Sequence, residues 1–197
     1  KVLLRISVVL AVCLCLFFVD NVWNRNLFSN NALVVYFSSF GNTKAIAKDI
    51  QEKLGADILR LQTVVKYPKD KALFLAQMKA EISAQNYYPA LINGRIDLSP
   101  YDVIVIGTPV WKGRAAPAVI SFLKKNNFAG KRVYFFSTYS RNAGLAISEM
   151  KKACPNATCG SFLKVELTAP LNNDEASITI PGDIIKKWTT EIMAKQK

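Results

Sequence analysis

Five short apolar runs, separated by stretches with helical periodicity, constrain the fold of this chain more than any other feature. The runs are nearly continuous in Val, Ile and Phe, as in strands that are covered on both faces of a parallel sheet. The predicted strands are Ala32–Phe37, Ala56–Thr63, Val103–Gly107, Arg132–Ser137 and Phe162–Leu167. The predicted helices are Thr43–Leu54, Lys69–Gln85, Ala115–Asn126, Leu145–Ala153 and Gly182–Ala194. Strands that alternate with helices predict an α/β fold over residues 32–195, a doubly wound five-stranded parallel sheet with helices on both faces.

A separate hydrophobic segment precedes this domain. Lys1 and Arg5 lie before Ile6–Val19, which carries no charge, and Asp20 ends the run. The run is shorter than the ~20 apolar residues of a membrane-spanning helix and fits the apolar region of a secretory signal. We therefore predict a signal peptide or signal anchor over residues 1–23 and a polar spacer over residues 24–31. We therefore expect the domain outside the cytoplasm of a bacterium, in the periplasm or anchored on the inner membrane. A buried N-terminal strand or helix is the alternative.

Composition excludes several kinds of chemistry. The chain has no histidine, which removes Ser-His-Asp and Cys-His hydrolysis and histidine-ligated zinc or haem. Its sequence shows no metal-ligand spacing, so we predict no metal site. The net charge of +12 favours acidic protein partners or an anionic membrane surface, although a solvated basic surface explains it equally well. An Arg-rich block is absent from the sequence, and we do not expect nucleic acid as a partner.

The loop after the first predicted strand has the composition of a phosphate-binding turn. It consists of Ser38, Ser39, Phe40, Gly41, Asn42 and Thr43. Short hydroxyl residues and a glycine allow close approach of the backbone, and the following helix presents unpaired N–H groups to an anion. The glycine spacings of the Walker and dinucleotide motifs are missing from this loop, so ATP and dinucleotide sites of those kinds are disfavoured. An N-capped turn with no ligand is the alternative.

Two further loops bring aromatic side chains to the same predicted edge of the sheet. The first contains Thr108, Pro109, Val110, Trp111, Lys112 and Gly113, and the second contains Thr138, Tyr139, Ser140 and Gly144. Ligands of open α/β sheets bind at the carboxyl ends of the strands, where the strand order reverses. A phosphate turn beside two aromatic loops suits a planar aromatic ligand with one phosphate, such as FMN. Trp111 alternatively closes the end of the sheet without touching a ligand.

Three motifs in order make the chain similar to the flavodoxin-like FMN proteins. They are Tyr36-Phe37-Ser38-Ser39-Phe40-Gly41-Asn42-Thr43, Tyr101-Asp102-Val103-Ile104-Val105-Ile106-Gly107-Thr108-Pro109-Val110-Trp111, and Gly130-Lys131 leading to Ser137-Thr138. The resemblance runs from about Ala32 to Trp188. It implies a flavodoxin-like fold in which Ser38, Thr43 and the backbone N–H groups from Ser39 to Thr43 hold the FMN phosphate. It also implies that residues 108–113 and 138–144 lie around the isoalloxazine ring.

One residue departs from the family pattern. Phe40 stands where the family usually has a threonine whose hydroxyl also binds the phosphate. The loss of one hydrogen bond to a charged group costs ~1–3 kcal/mol, which predicts FMN binding weaker by roughly one to two decades. Phe40 is expected to lie over the ribityl chain or to belong to a partner surface.

The resemblance implies electron transfer through FMN, without a catalytic residue of the protein. The expected partner is a redox protein or a quinone. An NAD(P)H- or quinone-dependent FMN oxidoreductase is one alternative, and a flavin-free domain that binds a partner is another.

Two cysteines offer a test of the compartment. Cys154 and Cys159 lie on either side of a short segment between a predicted helix and the last predicted strand. Outside the cytoplasm they are able to form a disulfide, and otherwise they remain two thiols.

Overall fold

A computed structural model describes residues 31–84, 86–167 and 181–195 of the chain. The strands are β1 (Ala32–Tyr36), β2 (Asp57–Arg60), β3 (Val103–Trp111), β4 (Arg114–Ala115), β5 (Arg132–Tyr139) and β6 (Thr158–Glu166). The helices are α1 (Asn42–Leu54), α2 (Lys71–Ser83), α3 (Pro117–Lys125), α4 (Ala146–Ala153) and α5 (Gly182–Ala194). The predicted alternation of strands and helices is confirmed. The predicted segment over residues 1–23 and the spacer up to residue 30 lie outside the described residues.

Five of the strands form one parallel sheet in the order β2-β1-β3-β5-β6. Val34 of β1 lies opposite Ile58 of β2 on one side and Val105 of β3 on the other. After β1 the chain adds β2 on one side of β1, and it then adds β3, β5 and β6 on the other side. The direction in which strands are added therefore reverses next to β1. This reversal next to β1 is the place where doubly wound folds bind ligands.

Two apolar layers cover the sheet. On one face α1 and α5 bury an aliphatic stripe against the strands, with Ile46, Ile50 and Ile185 fully buried. On the other face α2, α3 and α4 bury aliphatic and aromatic side chains against the strands, with Phe122 and Met150 fully buried. Because side chains of successive strand residues point to opposite faces, the continuous apolar runs of β1 and β3 supply both layers.

The structure moves several predicted boundaries. β3 continues four residues beyond its predicted end at Gly107, as far as Trp111, and turns back into β4 as a hairpin. Lys112 and Gly113 at the tip both have positive φ, 49° and 78°, which matches the tight turns that join two antiparallel strands. α3 begins at Pro117, two residues after its predicted start at Ala115, because Ala115 pairs with Val110 in the hairpin. Proline suits the first helical turn, since the N–H that it lacks would have no partner within the helix. Within the described residues, no helix is both long and apolar enough to cross a membrane.

Candidate functional site

The loop after β1 folds into a tight turn that leads directly into α1. Gly41 has a φ of 90°, and its N–H donates to Ser38 Oγ at 3.1 Å. Gly41 is also the N-cap residue of α1 and has no side chain with which to cap the helix. The positive end of the helix dipole therefore faces the loop without a cap from the N-cap residue, which is the arrangement that favours an anion.

Two serine hydroxyls near this loop are buried without a hydrogen-bond partner in the described part of the chain. They are Ser39 Oγ in the loop itself and Ser137 Oγ near the end of β5. Buried hydroxyls are nearly always hydrogen-bonded, because leaving one unpaired costs about 1–3 kcal/mol. Both hydroxyls lie near the carboxyl edge of the sheet, where a polar ligand would supply the hydrogen bonds that they lack in the described chain.

A buried bond between two hydroxyls joins the first predicted loop to the third. Thr43 Oγ1 lies 2.9 Å from Thr138 Oγ1, and both residues are almost fully buried. A backbone bond joins the end of β1 to β3, since Phe37 N–H donates to Gly107 O at 3.2 Å. The structure therefore brings the first, second and third predicted loops together at one edge of the sheet.

The second loop uses its threonine internally. Thr108 Oγ1 donates to Pro109 O and accepts from Ala116 N–H, both at 3.0 Å. These two bonds hold the hairpin against the start of α3 and leave this buried hydroxyl occupied. Pro109 and Val110 are half-buried, and Lys112 is exposed at the tip.

Trp111 belongs to a cluster of aromatic rings below the loops. Its ring contacts Phe37, Tyr67 and Phe74 edge-to-face, with centroids 5.4–5.7 Å apart, and it is 7% exposed. Edge-to-face pairs of this kind each stabilise by about 0.5–1.5 kcal/mol beyond the burial of area. Trp111 therefore anchors the second loop to α2 and to the chain after β2.

The second and third loops touch through two glycines. Leu145 N–H donates to Gly113 O at 2.6 Å. Gly144 has a φ of 51°, and a Cβ at this position would lie 2.2 Å from Gly113 O and 2.4 Å from Gly113 Cα. Only glycine fits here, so the predicted site residue Gly144 has a packing role. In the same loop Tyr139 is half-buried and Ser140 is exposed.

Phe40 of the first loop packs against α2. Its ring packs on Phe74 of α2 with centroids 4.7 Å apart, at an angle of 77°. This contact places the ring on the β2 side of the loop, as part of the same aromatic cluster.

A recess of about 670 Å³, which was not predicted from the sequence, opens on this β2 side. Its walls include four cationic residues, Lys44, Arg60, Lys66 and Lys69, and no Asp or Glu among the described residues. Arg60 also donates to Ser38 O at 3.0 Å and so ties the end of β2 to the first loop. The run Lys66-Tyr67-Pro68-Lys69 after the second strand was the available signal, with two cations and an aromatic residue at the same edge of the sheet.

Tyr67, which lines the recess, is hydrogen-bonded to the buried carboxylate of Glu81. Tyr67 donates its hydroxyl to Glu81 Oε2 at 2.6 Å, and Gln77 Nε2 donates to Glu81 Oε1 at 2.8 Å. Burial, together with the bond to this carboxylate, raises the pKa of Tyr67 well above its usual value. Tyr67 therefore stays protonated and fixed at any ordinary pH.

Arg114 of β4, directly after the second loop, already forms an ion pair. Arg114 Nε donates to Glu149 Oε1 at 2.6 Å, and Ala115 N–H donates to the other oxygen of the same carboxylate at 2.9 Å. These contacts hold the hairpin to α4.

The two cysteines of the chain's second half carry free thiols in the structure, so their disulfide stays a prediction. Cys154 is buried and Cys159 is exposed. Burial raises the pKa of the Cys154 thiol to about 12, and the neighbouring Cys159 thiol contributes to the rise. Within the described residues no group of His, Cys, Asp and Glu could hold a metal ion.

Comparisons with known proteins agree with this geometry. The model of the flavodoxin family matches residues 31–172. A protein from Bacteroides uniformis, assigned provisionally to the flavoproteins, is 28% identical with a TM-score of 0.66 over 81% of this chain and 97% of its own. No curated protein matches the chain.

Two other structures share the fold. A Lactobacillus acidophilus flavoprotein, solved in complex with FMN, is 20% identical with a TM-score of 0.59, over 69% of this chain and 93% of its own. Flavodoxin 2 from Bacillus cereus, in its oxidised form, is 18% identical with a TM-score of 0.52, over 83% and 98% of the two chains. The strand order, the loop at the reversal next to β1 and the family match agree, and the chain belongs to the flavodoxin family.

Proposed function

We propose that this chain binds FMN at the loop after β1 and transfers electrons between redox partners. The observation that supports this most is the buried hydroxyl of Ser39, which has no hydrogen-bond partner among the described residues and lies beside a helix start whose N-cap residue is Gly41. An FMN phosphate would accept from that hydroxyl and from the N–H groups of the helix start. The loops of residues 108–113 and 138–144 would then lie beside the ring, with Pro109, Val110 and Tyr139 as partly exposed apolar surfaces.

The protein's own contribution is to hold the flavin and orient it. FMN, when bound, supplies one- and two-electron chemistry, whereas the chain supplies position and electrostatics. The Thr43–Thr138 bond and the contact between Gly113 and Gly144 fix the three loops relative to one another. The net charge of +12 supports an acidic redox protein, or a quinone at an anionic membrane surface, as the partner. We propose a location outside the cytoplasm on the basis of the N-terminal hydrophobic segment.

A titration of the flavin-free protein with FMN tests the binding. We expect quenching of flavin fluorescence, and weaker binding of riboflavin because it lacks the phosphate. Ser39→Ala should weaken FMN binding about tenfold by removing one hydrogen bond to a charged group. Ser121→Ala is the matched control, since its hydroxyl is also buried without a partner in the described chain but lies on α3.

Two outcomes contradict the proposal. A protein that binds neither FMN nor riboflavin would favour the flavin-free alternative. Sustained oxidation of NADPH with a quinone acceptor would instead favour the oxidoreductase over the pure electron carrier.

A further inference from the structure

We propose that the flavin site continues beyond the phosphate loop into the basic recess and accepts FAD more tightly than FMN. FAD is FMN extended through its phosphate by AMP. The inference rests on the proposed function, because the FMN half would bind as described above. The AMP half would lie in the recess on the β2 side.

The position of the recess favours FAD over other ligands. The recess begins at the first loop, since Ser38–Gly41 form part of its wall, and it extends along β2 toward α2. The described residues that line it include none from the second or third loop. A group in the recess is therefore next to the phosphate end of the flavin and away from the loops proposed to surround the ring. A hydride donor needs to reach the ring, whereas the AMP half of FAD needs to begin at the phosphate.

The size and charge of the recess suit a nucleotide. About 670 Å³ lies within the ~300–1,000 Å³ range of small-molecule sites. Lys66 and Lys69 are exposed cations at its wall, and no described carboxylate opposes them there. Phe40 and Tyr67 are half-buried beside them, so their rings offer apolar surface on which an adenine base can stack. Cations beside aromatic rings match a second phosphate followed by a base.

The departure at position 40 fits the same ligand. The phosphate of FMN is a monoester with three terminal oxygens and a charge of about −2 near neutral pH. Each phosphorus of FAD has two terminal oxygens and a single negative charge. A loop that carries Phe40 in place of a hydroxyl residue offers one hydrogen-bond donor fewer to the phosphate. This loss lowers the affinity for FMN more than the affinity for FAD, because the FMN phosphate has more terminal oxygens and more charge to satisfy. The Phe40 ring also packs on Phe74 and so forms part of the wall that the adenosine would meet.

The experiment compares the dissociation constants of FMN and FAD for the full flavin-free chain by calorimetry. We expect FAD to bind at least about tenfold more tightly than FMN, from one or two additional charge-assisted hydrogen bonds. The double substitution Lys66→Ala, Lys69→Ala should remove most of this advantage and leave FMN affinity within about twofold. Lys79→Ala is the matched control, because Lys79 is an exposed cation of α2 that does not line the recess.

The outcomes separate the two proposals. If FMN and FAD bind with equal affinity, or if the double variant loses affinity for both equally, the proposed extension into the recess is wrong. The proposed FMN site would not be contradicted by either result. If neither flavin binds, both proposals fail. Since Lys66 and Lys69 are exposed, the thermal unfolding midpoint of the double variant should match that of the parent protein. A matching midpoint would show that any loss of FAD affinity comes from the recess and not from unfolding.

Discussion

The loop after β1 has two very different sides. Toward β3 and β5 it is closed by a buried hydroxyl pair, Thr43 and Thr138, and beyond that pair the second and third loops meet at Gly113 and Gly144. Toward β2 it opens into a recess whose wall contains exposed cations such as Lys66. The closed side is built from backbone contacts and short hydrogen bonds, and the open side from long charged side chains. A substitution on the closed side should therefore change stability, whereas one on the open side should change ligand choice.

Gly144→Ala tests the closed side and should have the largest effect. The added methyl would meet Gly113 O and Cα at 2.2 and 2.4 Å, and the φ of 51° disfavours any side chain. We expect the free energy of unfolding in urea to fall by ~3 kcal/mol, from overpacking and from the left-handed backbone together.

Gly130→Ala separates these two causes. Gly130 has a φ of 75°, but a Cβ there would have no neighbour within 4 Å in the part of the chain that the structure describes. Its substitution should cost only the ~1–2 kcal/mol of the backbone conformation. Equal losses in the two variants would show that packing between the second and third loops adds nothing to stability.

Phe40→Thr tests the boundary between the two sides. A threonine restores a hydroxyl that can donate to the phosphate, so FMN should bind roughly 10- to 100-fold more tightly. It also removes the ring contact with Phe74, which lowers the free energy of unfolding by about 1 kcal/mol. FMN affinity is measured by fluorescence titration and stability by urea unfolding.

The control for this change is Phe162→Thr. Phe162 is an exposed ring of β6, away from the first loop, and its loss should leave FMN affinity unchanged. If Phe40→Thr also leaves FMN affinity unchanged, position 40 has no part in holding the phosphate.

Thr138→Val should have the smallest effect. It keeps the shape of the side chain and removes the hydroxyl that pairs with Thr43 at 2.9 Å. We expect a loss of about 1 kcal/mol in urea unfolding of the flavin-free protein. Thr190→Val, at an exposed hydroxyl that bonds Lys186 O on α5, should change stability little. A Thr138→Val variant as stable as its control would mean that the hydroxyl pair does not hold the first and third loops together.

The sequence alone predicted the elements that depend on local pattern. Continuous apolar runs such as Val103–Ile106 indicated buried parallel strands, because residues covered on both faces show no alternation. The alternation with helices then predicted the doubly wound sheet, and the turn at Ser38–Thr43 indicated the loop at its reversal point. The three motifs identified the family, which the family match over residues 31–172 confirms.

Tertiary structure decided which surface each side chain faces. Their positions after predicted strands placed Trp111 and Phe40 at the edge of the sheet, but only the packing shows that both rings contact Phe74. The recess likewise combines Lys44, from the start of α1, with Lys66 and Lys69, from the chain after β2. These cations are distant along the chain, and no local pattern relates them. The sequence by itself therefore determined the fold and the loop, whereas the long-range packing of β2, α1 and α2 decided the shape and charge of what lies beside it.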